Sequence, residues 1–207
     1  MAQYKAGSLV FASAVCLFSG NVDPSASIRI SCYNYAAVAP AALARAQATA
    51  GQRFREAGIL VRWKTCPVAA GRPVCPGKSG DGPSLVVGLM PEEMVRRLRT
   101  TPWQFGLAAT TEGEGFPDYA QVFVGRARDF AADASLSMDV VLGSMIAHEA
   151  GHLLLGGNSH SRSGIMRGKW GRSDIRNALM GRLTFTREQA LRMQADIHRR
   201  NTGDVPR

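Results

Sequence analysis

Apolar side chains alternate with polar ones at the start of the described pattern: Ile28, Ile30 and Cys32 are separated by Arg29, Ser31 and Tyr33. That two-residue period predicts a strand over about 28–35 with one buried face. After Pro40 the period changes. Leu43, Ala46, Ala50, Phe54 and Ala57 recur at helical spacing up to Gly58, predicting a helix over about 40–57 with a glycine beyond its C-terminus. Residues 59–64 read as a second strand, and a strand–helix–strand unit lays its strands parallel with the helix on one face. Glycine and proline crowd 66–83, a loop, before a short apolar strand at 84–89. Pro91 opens a helix of a dozen residues or fewer. Glu92 and Glu93 lie in its first turn and Arg96, Arg97 and Arg99 in its last, as the helix dipole favours. Two further strands, 105–109 and 119–124, flank a polar loop at 110–118.

The longest helix is predicted over about 136–155, with Ser135 or Ser137 as N-cap and Gly156-Gly157 as its stop. Val141, Met145, His148, His152 and Leu155 step by four, three, four and three, so they share one face. A non-periodic stretch at 158–170 and a weaker helix near 173–180 follow. The last helix opens at Thr186 with Gln189 three residues on, a capping-box pattern, and buries Ala190, Met193 and Ile197. The pattern as a whole is α+β, with an α/β-like N-terminal subdomain (about 27–157) and a small helical C-terminal subdomain (about 158–207).

Composition adds a compartment. The 207 residues, 45% hydrophobic, supply the core of one domain. Lys5 precedes an apolar run, Ala6 to Phe18, and the small residues Ser25, Ala26 and Ser27 follow Pro24, so 1–26 reads as an export signal cleaved near Ala26. A secreted, periplasmic or cell-envelope protein is expected, without a stable membrane anchor, because the run is shorter than the roughly 20 residues that span a bilayer. Val15 stands where a lipoprotein signal would carry a small residue before Cys16. In an oxidising compartment Cys32, Cys66 and Cys75 can pair. Cys66 with Cys75 across the turn-rich loop is favoured, and Cys32 with Cys66 between neighbouring strands competes. The charge of +9 comes from basic residues scattered along the chain without a nucleic-acid motif, so no nucleic-acid partner is expected. The chain is expected to be a monomer.

The chemistry falls on the longest helix. His148-Glu149-Ala150-Gly151-His152 has the H-E-x-x-H spacing at which two imidazoles four residues apart reach one Zn²⁺, with Glu149 turned aside and close enough to touch its water. Catalytic zinc takes three protein ligands and leaves a position open. His160 is the nearest candidate for the third, after two glycines that let the chain fold back. Three of the four histidines lie between 148 and 160, which scattered core histidines would rarely do.

The stretch His148 to Met166, HEAGHLLLGGNSHSRSGIM, resembles the metzincin metallopeptidases, which join H-E-x-x-H to a glycine turn, a third ligand and a later methionine turn. The resemblance implies a metzincin-like mixed twisted sheet with a backing helix and an active-site helix. It implies one catalytic Zn²⁺ on His148, His152 and His160, with Glu149 as general base and Met166 beneath the metal. The implied activity is endopeptidase hydrolysis of protein or peptide substrates through a zinc-bound water, the substrate lying against an edge strand at Gly106, Leu107, Ala108 and Ala109. One departure stands out. The family's third ligand comes six residues after the second histidine, where this chain has Asn158, and His160 comes eight after, so the turn is longer by two. Two alternatives stay open: a gluzincin-type site with Glu188 as third ligand, and a noncatalytic zinc module closed by His198. A Cys75 thiolate masking the metal is a weaker reading than a disulfide. Arg162, Arg167 and Trp170 follow the site closely, and solvation and core packing account for them equally well.

Overall fold

The computed structural model describes residues 26–69, 72–75, 82–109 and 118–203, so the export signal expected over 1–26 lies, apart from Ala26, outside the described residues. The chain runs β1 (Ser27–Asn34), α1 (Pro40–Glu56), β2 (Leu60–Cys66), a small pair β3 (Val68–Ala69) and β4 (Arg72–Pro73), then β5 (Ser84–Met90) and α2 (Glu92–Val95). It continues through β6 (Gly106–Ala109), β7 (Tyr119–Phe123), α3 (Val124–Ala134), α4 (Met138–Leu155), α5 (Arg172–Leu179) and α6 (Arg187–Thr202). The fold is α+β, with a five-stranded mixed sheet in the order β2-β1-β5-β7-β6. β1 lies parallel to both β2 and β5, and β7 parallel to β5; β6 alone runs antiparallel, at the edge.

The inward residues Ile28, Ile30, Cys32, Leu85, Val87, Leu89, Ala120 and Val122 are buried against α1 and α4. The two helices approach closely through small residues. A Cβ added at Gly143 of α4 would stand 2.4 Å from the Ala46 carbonyl of α1. Every residue of α4 from Val141 to Leu155 is buried. The stripe read from the sequence is therefore one of several buried faces, because α4 is enclosed by α1, α3, α6 and the sheet. Two arginines of α6 reach its C-terminal carbonyls, Arg192 to Leu155 O at 3.0 Å and Arg200 to Leu153 O at 2.7 Å. Cations there complement the helix dipole and satisfy carbonyls that lack a helical partner.

The structure corrects the sequence pattern at α2 and at α3, and narrows its two N-cap candidates for α4 to Ser137. Helix α2 has only four residues, and Arg96, Arg97 and Arg99 fall in the turns after it. Residue Val124 opens a helix instead of closing β7. That helix, α3, buries Val124, Ala127 and Ala131, a helical spacing made almost invisible by small alanines. Ser135 ends α3 in the left-handed region (φ 54°), leaving Ser137 at the N-cap position of α4, where its hydroxyl bonds the Asp139 carboxylate.

The disulfide is Cys66–Cys75, and Cys32 is free and buried. Strand register explains the choice. Cys66 lies level with Tyr33, whereas Cys32 lies level with Thr65 and faces the core, so the two thiols point to opposite faces of the sheet.

Candidate metal centre

Helix α4 carries His148 and His152 one turn apart, and the chain leaves it at Gly156, whose φ of 92° suits glycine. The turn then brings His160 back. Nε2 of His152 stands 3.1 Å from Nε2 of His148 and 3.1 Å from Nε2 of His160. The outer nitrogens point elsewhere. Nδ1 of His148 donates to the Ile165 carbonyl at 2.7 Å, which leaves its Nε2 as a lone pair when the ring is neutral. Nδ1 of His152 stands 2.9 Å from the Ser159 hydroxyl.

These groups fit a metal. Ligand nitrogens on a tetrahedral zinc stand about 3.3 Å apart for bonds of 2.0–2.1 Å, close to the observed 3.1 Å. Converging lone pairs repel one another unless a cation or a shared proton lies between them. Burial disfavours the proton: it pushes His148 down to about 3, helped by repulsion from His152 and His160 and opposed by the Ile165 carbonyl. It pushes His152 down to about 4, with repulsion from His160 adding to it, and it also lowers His160, which is more exposed. Near neutral pH all three rings are therefore uncharged, the form that binds metal.

Glu149 is 3% exposed and shares one cleft with the three histidines, lined also by Gln104 to Ala108, Gly157 and Gly168. Burial pushes its carboxyl up to about 8. A dication in the cleft would lower it again by attraction. The cleft needs two glycines. A Cβ at Gly106 would lie 2.7 Å from the Glu149 side chain, and one at Gly168 would lie 3.0 Å from the His160 ring.

The segment after His160 closes on itself, with Ser161 N donating to Met166 O at 2.9 Å. Met166 is fully buried under α4, where a Cβ on Gly151 would meet its sulfur at 2.7 Å. Strand β6 supplies Gly106, Leu107 and Ala108 to one wall of the cleft, and Ala109 ends the strand. Glu188 and His198 are exposed on α6 and outside the histidine group, and Asn158 is exposed in the turn. Among the described residues no fourth His, Cys, Asp or Glu joins the group.

Three contributors escaped the sequence reading. Gly168 leaves no signal beyond its identity. The Ile165 carbonyl is backbone, which sequence does not encode by residue type. Phe105 packs edge-on to His148 at 6.3 Å and against Trp170 at 4.5 Å, a contact between segments far apart in the chain.

No family model matches the chain, and no curated protein matches it. Among solved structures it is similar to an archaemetzincin from Methanopyrus kandleri, at 18% identity over 84% of this chain and 98% of that chain, with a TM-score of 0.48.

Proposed function

We propose that this chain is an exported zinc-dependent endopeptidase with His148, His152 and His160 as ligands and Glu149 as general base. The observation that carries the reading is the open group of three neutral imidazoles beside a buried carboxyl in one cleft. A structural zinc site is closed by four protein ligands, and a catalytic one keeps a position free. A zinc ion held there supplies Lewis acidity, polarising a carbonyl and acidifying water. Glu149 accepts the proton released by the attacking water and delivers it to the leaving amine. Gly106 leaves the room that the Glu149 side chain takes up at the cleft, since a Cβ there would stand 2.7 Å from Glu149. Among the described residues strand β6 pairs on one edge with β7 and on the other with no strand, so an extended peptide can add to it by backbone hydrogen bonds. Met166 supports the floor beneath the histidines. Export agrees with the Cys66–Cys75 disulfide, since such bonds persist in oxidising compartments.

The test is metal analysis coupled to proteolysis. Purified protein should carry one zinc per chain, cleave an unstructured protein, lose cleavage on chelation and recover it when zinc is returned. In His160→Ala, zinc occupancy should fall. Full occupancy in that variant overturns the ligand set, and metal-loaded protein that cleaves no unstructured substrate overturns the activity.

A further inference from the structure

Trp170 is buried behind the histidine group, and its indole Nε1 donates to the Ile165 carbonyl at 3.1 Å. That same oxygen accepts from Nδ1 of His148 at 2.7 Å. Both lone pairs of one backbone carbonyl are thereby used, one to hold a metal-binding ring and one to hold the carbonyl itself. The Ile165 amide donates to Thr184 O at 2.9 Å, so the neighbouring peptide groups are fixed from the other side as well. The indole ring also lies edge-on to His148 with centroids 6.1 Å apart, and it packs at 4.5 Å on Phe105, which is itself edge-on to His148 at 6.3 Å.

We propose that Trp170 is a positioning residue for the metal site: its indole N–H orients the Ile165 carbonyl, which fixes the tautomer and direction of His148. The inference rests on the reading of His148, His152 and His160 as metal ligands. Groups that orient a ligating histidine through its outer nitrogen contribute roughly 10- to 100-fold to metal affinity or activity. Trp170 acts one bond further out, so the low end, about tenfold, is expected on zinc affinity.

The experiment compares zinc affinity, by competition with a chromophoric chelator, in wild type and Trp170→Phe, together with the ligand-field spectrum of the cobalt-substituted proteins. A second variant replaces Trp170 by benzothienylalanine, which keeps the bicyclic shape and lacks the N–H, so the comparison survives if the smaller ring disturbs folding. Both variants should bind zinc about tenfold more weakly, with an altered cobalt spectrum, while the benzothienyl protein melts like wild type in the metal-free state. Wild-type affinity and spectrum in the benzothienyl protein overturn the proposal and leave Trp170 as packing. Absence of zinc binding by wild type overturns the underlying ligand assignment instead, a distinct result.

Discussion

Replacing Gly106 by alanine strikes Glu149, the proposed general base, and the edge strand together. The added Cβ would stand 2.0 Å from the Gln121 carbonyl oxygen and 2.7 Å from Cγ and Cδ of Glu149. A tolerable carbon–oxygen contact is about 3.3 Å, so β6 must withdraw from the Gln121 carbonyl by roughly 1.3 Å, and Glu149 must yield by about 1 Å as well. Overpacking of this kind costs about 1–3 kcal/mol, a drop in Tm of about 2–12 °C for a domain of this size. Misplacing a catalytic group by about 1 Å costs on the order of 100-fold in rate. Gly106→Ala should therefore retain zinc, melt a few degrees lower, and cleave an unstructured protein about 100-fold more slowly. Assays of zinc content, thermal melting and kcat/KM on the same preparation separate the effects. Cleavage within threefold of wild type at unchanged Tm would refute the claim that Gly106 makes room for Glu149.

Two other outcomes follow from burial. In the metal-free protein His148 and His152 are held near 3 and 4 against an ordinary 6.5, and Glu149 near 8 against 4.5. As pH falls below 6.5 the unfolded chain gains protons on both imidazoles that the folded chain refuses, and stability is lost down to about pH 3. As pH rises from 4.5 to about 8 the folded chain keeps a proton on Glu149 that the unfolded chain has released, and that contribution is lost in turn. Two imidazoles outweigh one carboxyl below 6.5 and the carboxyl acts alone above it, so the melting temperature of chelated protein should peak near pH 6.5; a maximum below pH 5 contradicts this balance. Phe54 is fully buried in α1 and packs on Phe185 at 5.2 Å, joining the sheet layer to the C-terminal segment. Phe54→Ala should cost about 3–5 kcal/mol in urea unfolding, and a loss under 1 kcal/mol would show that this contact does not tie the two parts together.

Periodicity made the strands and long helices legible because burial is one-sided there. β1 alternates cleanly and α1 keeps a single apolar face, so each declares its type within a few residues. Helix α3 did not, since its buried face is made of Ala127 and Ala131, residues too small to mark a period. The α4 stripe was visible but incomplete, because a helix enclosed on all sides carries apolar residues everywhere. At the site, spacing alone brought His148, His152 and Glu149 to one helix turn. The return of His160 depends on a turn two residues longer than the metzincin pattern, and it is the folded turn, not the spacing, that brings its Nε2 to 3.1 Å from Nε2 of His152. The supports of the site were hidden for a physical reason: a backbone carbonyl, a glycine without a side chain, and ring contacts across distant segments leave no local pattern.

The central claim is that Glu149 moves the proton while the histidines hold the metal. Its most direct test is cleavage of an unstructured protein by zinc-loaded wild type and zinc-loaded Glu149→Gln at matched metal content. The account predicts one zinc in each and a fall in cleavage of about 100-fold or more in the variant. Equal cleavage by the two proteins at equal zinc would contradict it.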